Sequence, residues 1–226
     1  MRKKAFSMLE ILLILIIIIG IFILSFSNFK DSRLELAREQ LIAHLNHTRF
    51  LALNSAKQIT QAAFCQSNLC EIERKNYEES FWRLQFALLQ DIGFSYSIFS
   101  DIARLTPQST LHFDDRPRNK EEVAIGFLDN KYLSVYSISN SKYANTLRDG
   151  DLSLTKRYGV MGVQMSGGCG VDLAGARILF DESGFLKCKQ PLQSVAAPKG
   201  AVEILLKGKT KELKICILES GFVKKC

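Results

Sequence analysis

The sequence predicts an α+β fold in which one long N-terminal helix, transmembrane in its first half and amphipathic in its second, packs on an antiparallel β-sheet domain. Three observations predict it. Residues Ile11 to Leu24 read ILLILIIIIGIFIL without one polar side chain. Leu34, Ala37, Leu41, Leu45, Thr48 and Ala52 then recur at spacings of three and four, with no Pro or Gly from Asp31 to Lys57, the pattern of a helix that buries one face. From about Phe81 the apolar period falls from 3.6 to 2, as strands require. At 226 residues the chain holds one sizeable domain plus an extended element. Its 47% apolar and 23% charged content excludes both wholesale disorder and a polytopic membrane protein.

The helix is expected over residues 6–58, roughly 75–80 Å long. Phe6, Met8, Leu9, Phe26 and Phe29 extend the apolar run on both sides, so it supplies the about 20 residues that a hydrocarbon core of about 30 Å needs. The head Met1-Arg2-Lys3-Lys4 favours the cytoplasmic side, which places everything after about residue 30 outside. A secretory signal peptide also begins with positive charge and an apolar run. This run is longer than a signal-peptide core, and its exit, Ser25-Phe26-Ser27-Asn28-Phe29-Lys30, lacks a small-x-small cleavage pattern. Gly20 is the one weak point in the apolar half. Glu10 sits just inside it, where a carboxylate at the bilayer centre costs about 2.5–3.5 kcal/mol. It must either reach headgroup water or find a partner. His44 and His47, three apart, could share a metal, but no third ligand lies nearby in sequence, and polar-face histidines are common.

In the strand region Trp82, Leu84, Phe86 and Leu88 alternate with Arg83, Gln85 and Ala87, and Phe94, Tyr96 and Ile98 alternate with serines. Val123–Phe127 and Leu133–Tyr136 continue the β signal around a turn at Asp129-Asn130. The Ser-, Asn-, Asp- and Gly-rich stretch from Ser137 to Gly170 reads as a long loop or an edge. Arg177–Phe180 runs through the turn Asp181-Glu182-Ser183-Gly184 into Phe185–Cys188. Val202–Leu206, Lys207-Gly208-Lys209 and Leu213–Ile217 form a hairpin that aims Leu213, Ile215 and Ile217 at the core and Cys216 away from it, where the tail ending at Cys226 can fold back to meet it.

The six cysteines Cys65, Cys70, Cys169, Cys188, Cys216 and Cys226 suit disulfides in an exported chain. Six cysteines allow fifteen connectivities; the local pairs 65 with 70, 169 with 188 and 216 with 226 are the expectation. Their spacings lack the paired Cys-x2-Cys clusters of a closed zinc site. The net charge is +7, of which Arg2, Lys3 and Lys4 account for three, leaving +4 on the exported part. That excess allows an anionic partner, DNA or a lipid surface, without requiring one.

Lys3-Lys4-Ala5-Phe6-Ser7-Met8-Leu9-Glu10 resembles the class III signal of type IV pilins and pseudopilins. The resemblance implies a pilin-like fold, a basic leader (residues 1–5) cut by prepilin peptidase between Ala5 and Phe6, and N-methylation of Phe6. Glu10 becomes the fifth residue of the mature chain, the position whose carboxylate pairs with the N-terminal amine of a neighbouring subunit. Where this sequence has Ala5, the family usually has Gly. Ile178–Gly184, Ile215–Ile217 and Gly221-Phe222-Val223 resemble the closing hairpins of the minor pseudopilins of the GspH and FimT group. Residues 59–226 are then the periplasmic β-rich domain of a single-pass inner-membrane protein. The implied role is a minor subunit of a pseudopilus or type IV pilus-like fibre in secretion, pilus assembly or DNA uptake. Its partners would be other subunits, prepilin peptidase, an inner-membrane assembly platform and the bilayer.

Some members of that group take part in natural transformation and carry Gly-Arg-Val-Arg after the last strand. Here the matching residues are Gly221-Phe222-Val223-Lys224-Lys225. DNA is therefore a second expected partner, through Lys207, Lys209, Lys224 and Lys225, with Lys211 and Lys214 adding to the patch; the alternative is a solvated edge whose lysines deter edge-to-edge pairing. No catalysis, cofactor or metal is expected. The chain has no Gly-x-Ser-x-Gly and no Gly-rich phosphate loop. Met165-Ser166-Gly167-Gly168-Cys169-Gly170 has no partner histidine at recognisable spacing, and Asp114-Asp115 beside Arg116-Pro117-Arg118 reads as an exposed turn.

Overall fold

The computed structural model describes residues 8–54, 77–101, 104–105, 111–112, 116–117, 120–127, 129–136, 152–169, 177–189 and 195–226, without the side chains of residues 9, 10 and 21–31. Ala5, Phe6, Cys65, Cys70 and Asp114-Asp115 lie outside these residues.

Helix α1 runs unbroken from Met8 to Asn54, 47 residues and about 70 Å long. Its C-terminal half buries the stripe that the sequence marks: Leu34, Ala37, Leu41, Leu45, Thr48 and Ala52 are each 3% exposed or less. Two four-stranded antiparallel sheets receive this stripe. The first has the order β2-β1-β6-β7, from β1 (Trp82–Leu89), β2 (Gly93–Ser100), β6 (Arg177–Phe180) and β7 (Leu186–Lys189). The second has the order β10-β9-β8-β5, from β5 (Gly162–Gly167), β8 (Val202–Lys207), β9 (Glu212–Ile217) and β10 (Val223–Lys225). A small ribbon pairs β3 (Arg104–Leu105) with β4 (Leu111–His112).

Register decides which side chains meet α1. Leu84 lies opposite both Ile98 and Ile178, and Phe86 opposite Tyr96, so these residues share the face that joins Leu41 and Leu45 in one core. In the second sheet Ile204 lies opposite Ile215 and Val202 opposite Ile217, and all four are fully buried. Leu213 is half-buried at the hairpin end. Cys216 points the other way and is bonded to Cys226, and Cys169 is bonded to Cys188, with Cα–Cα distances of 5.7 and 5.2 Å. The second bridge ties the end of β5 to β7 and so joins the two sheets.

Three expectations change. The alternation in β1 predicts a solvated second face, but Arg83 and Gln85 are buried, because the segments at Glu79 and at Val135–Tyr136 pack on that face. Arg83 donates to the Glu79 carbonyl and lies over the Phe99 ring at 5.4 Å. Gln85 Nε2 donates to Tyr136 Oη (3.1 Å), and Arg177 Nε donates to Gln85 Oε1 (2.9 Å). Leu88, read as a core position, is 62% exposed, since β1 runs on past Gln85, its last residue paired with β6.

The second change concerns Val123–Phe127 and Leu133–Tyr136. Among the described residues they form no strand: single bridges join Phe99 with Val123 and Ile125 with Tyr132, and Ile98 N donates to the Leu133 carbonyl at 2.8 Å, around the expected turn, where Asn130 has φ 54°.

The third lies within Ser137–Gly170. The expectation of a loop or an edge holds for β5, an edge strand of the second sheet, and changes at a short helix, α2 (Leu154–Tyr158). Ser153 caps α2, its Oγ accepting from Lys156 N at 3.0 Å, and Gly159 closes it at φ 71°, a left-handed conformation that suits glycine.

Candidate functional site

Met8 and Ile11–Ile19 of α1 stand clear of the body. Met8 is 83% exposed and the nine residues Ile11–Ile19 are each 48–62% exposed, so no side of the helix is covered. Apolar side chains around a whole helical circumference belong in an apolar surrounding, whether a bilayer or neighbouring helices. Among the described residues no helix is long and apolar enough to cross a membrane; Ile11 to Ile19 span only about 13 Å. Glu10 falls within the helical backbone, one turn before Ile14, and its side chain lies outside the described residues.

The structure does not gather the lysines into one patch. Strand alternation sends Lys207, Lys214 and Lys224 to the outer face of the second sheet, while Lys225 turns inward and pairs with Glu39 of α1 at 2.6 Å. Lys207 faces Glu212 at 3.8 Å and Lys214 faces Glu203 at 3.0 Å. Lys209 and Lys211 lie in the β8–β9 turn beside α1, and Lys211 pairs with Glu35 at 3.4 Å. Lys209 and Lys224 are exposed and in no ion pair among the described residues.

His44 and His47 do come together, with Asp129 and Arg157, around a cavity of about 470 Å³ between α1, the 126–133 turn and α2. A hydrogen-bond chain fixes the wall. Tyr158 Oη donates to Gln40 Oε1, Gln40 Nε2 donates to Tyr96 Oη at 2.7 Å, and Tyr96 Oη lies 2.8 Å from His44 Nδ1. Tyr96 Oη accepts from Gln40, and with the imidazole proton on Nε2 its own proton can go to His44 Nδ1. Burial, with help from His47, pushes the His44 pKa down to about 4, against the opposing pull of Asp129. Burial lowers that of His47 as well, and its ring lies 4.2 Å from that of Phe127. Among the described residues no three His, Cys, Asp or Glu side chains are placed to hold a metal ion.

Sequence reasoning passes over one residue that organises the far end of the body. Arg49 Nε donates to the Gly184 carbonyl at 3.0 Å and Nη2 to the Ser220 carbonyl at 3.3 Å, so one α1 side chain holds both closing turns. Its signal was an Arg flanking the buried stripe, opposite two Gly-containing turns. No family model matches the chain, and neither a characterised protein nor a solved structure does.

Proposed function

We propose that this chain is a minor pilin-like or pseudopilin-like subunit, anchored by α1 in a bacterial inner membrane and assembled into a pseudopilus or pilus-like fibre for secretion or DNA uptake. The observation that carries the reading is the division of one continuous helix into two environments. One face of residues 34–52 is sealed against two sheets, whereas Ile11–Ile19 are bare on every side. The sequence continues the apolar run to Leu24, and Ile11 to Leu24 would span about 20 Å, with Phe26 and Phe29 beyond. In that setting a buried Glu10 carboxylate is costly alone and tolerable when paired, which suits a contact with the N-terminal amine of a neighbouring subunit. The role is mechanical, so the energy for fibre growth comes from partners in an assembly platform.

A DNA-binding role is the second reading. Exposed Lys209 and Lys224 favour it; the carboxylates facing Lys207 and Lys225 disfavour it.

Intact mass and N-terminal analysis of the membrane-extracted chain, with and without prepilin peptidase, tests the main reading. It predicts a mature start at methylated Phe6 that depends on the peptidase. An uncut Met1 leaves a plain membrane anchor, and cleavage beyond Leu24 removes the fibre.

A further inference from the structure

A second, smaller cavity of about 270 Å³ lies where the body meets the exposed half of α1, with Arg33, Lys209, Lys211, Tyr158 and Met161 in its wall. The fold brings these together from three places. Gly208 lies so close to Leu34 that an added Cβ would stand 3.0 Å from Leu34 Cδ2, which seats the β8–β9 turn beside Arg33. The turn is closed by Gly208 N donating to the Lys211 carbonyl at 2.9 Å. Tyr158 and Met161 arrive from the end of α2 and the approach to β5, and Met161 is 66% exposed. Glu35 meets both Arg38, at 2.5 Å, and Lys211. Arg33 and Lys209 are in no ion pair among the described residues.

We infer that this cavity receives the phosphate headgroup of an anionic phospholipid and so seats the body on the bilayer surface, an inference that rests on the reading of α1 as a membrane helix. Depth supports the choice of ligand. With Phe29, which extends the run beyond Leu24, at the hydrocarbon edge, Arg33 lies four residues and about 6 Å further along the axis. Each headgroup layer extends about 5–7 Å past the hydrocarbon, so the cavity falls at phosphate level. Arg49, at the other end of the body, is about 24 Å further out. The chemistry fits as well. A guanidinium offers a planar fork to phosphate oxygens and an ammonium adds a point charge, while a tyrosine and an exposed methionine suit the apolar-to-polar boundary. The volume admits a headgroup and not a whole lipid, which leaves the acyl chains to lie along the apolar half of α1.

The test uses the full chain in neutral detergent with equal amounts of phosphatidylglycerol and phosphatidylcholine, read by native mass spectrometry. Wild type is expected to retain phosphatidylglycerol over phosphatidylcholine by about tenfold, and the double variant R33Q/K209Q by less than about twofold. K224Q, on the outer face of the second sheet, should keep the full preference. Equal retention of the two lipids by wild type, or an unchanged preference in R33Q/K209Q, overturns the proposal. So does displacement of the lipid by inorganic phosphate at matching concentration, which would make the cavity a free-phosphate site. Flotation of wild type with neutral vesicles separates the two readings. Failure to float sinks the membrane helix itself, whereas floating without headgroup preference sinks only the headgroup site.

Discussion

His44 is a buried imidazole whose neutral form is favoured first by burial, with its Nδ1 2.8 Å from Tyr96 Oη. A histidine with its pKa lowered from 6.5 to about 4 favours folding fully above pH 6.5. That contribution fades as pH falls toward 4, because the unfolded chain binds the proton first. Acidification across this window should therefore lower stability by on the order of 2 kcal/mol. His44→Gln, whose amide oxygen can take the Tyr96 proton, should flatten the slope. Urea unfolding of the detergent-solubilised chain at a series of pH values reads the difference, and equal slopes would count against the lowered pKa of His44.

At the far end of the body, Arg49→Ala removes two charge-assisted hydrogen bonds and should cost about 2–3 kcal/mol. Gly221→Ala should be at least as damaging. Gly221 has φ 78°, and a Cβ there would collide with the Gly184 carbonyl. Thermal unfolding of the two variants checks both expectations.

At the scale of elements, β10 is held by its pairing with β9, by the Cys216–Cys226 bond and by the Lys225–Glu39 pair. Closing a loop of about ten residues by a disulfide stabilises by about 3 kcal/mol in the chain-entropy account. Cys216→Ala/Cys226→Ala should thus free the tail, raising hydrogen exchange at Val223–Lys225 while β8 and the N-terminal part of β9 stay protected. The buried pair of Glu79 and Lys189 joins the segment before β1 to β7. Glu79→Ala, which takes away the carboxylate that Lys189 meets, should destabilise the body, measurable by denaturant unfolding.

What the sequence made legible follows from what periodicity reports. The α1 stripe, the turn at Asp181–Gly184 and the β8–β9 hairpin were visible because each places apolar residues on one face at a fixed spacing. The meeting of Cys216 with Cys226 followed from the same alternation. Periodicity says which residues share a face and not what covers the other one, so the burial of Arg83, Gln85 and Arg177 beside Glu79 and Tyr136 was hidden. The bounds of β5 were hidden for a different reason, since only Val163 and Met165 of its six residues are apolar and glycine stands at both ends. For the candidate site, the bare apolar helix was evident. The splitting of the lysines between two faces and a turn depended on strand register, and the company of Arg33 with Lys209 depended on which hairpin reaches α1.

For the whole molecule, the bridge between Cys169 and Cys188 and the length of α1 make the body a single unit carried on a bare apolar stem. On the proposed reading, in which the carboxylate would serve docking and not insertion, replacing Glu10 by Gln should leave membrane association intact and reduce cross-linking between subunits severalfold. Cross-linking yields from cells making each form, compared at equal membrane levels, read that split, and an unchanged yield would remove Glu10 from assembly.

The most direct test of the central claim is a photo-reactive residue at Ile14, with the same residue at Leu41 for comparison, in the full chain expressed in its own cells. The account predicts that position 14 captures lipid and the α1 helix of other subunits, while position 41 captures only the chain's own sheets. Capture of the body's own residues from position 14, or no capture of lipid or subunits at all, would contradict it.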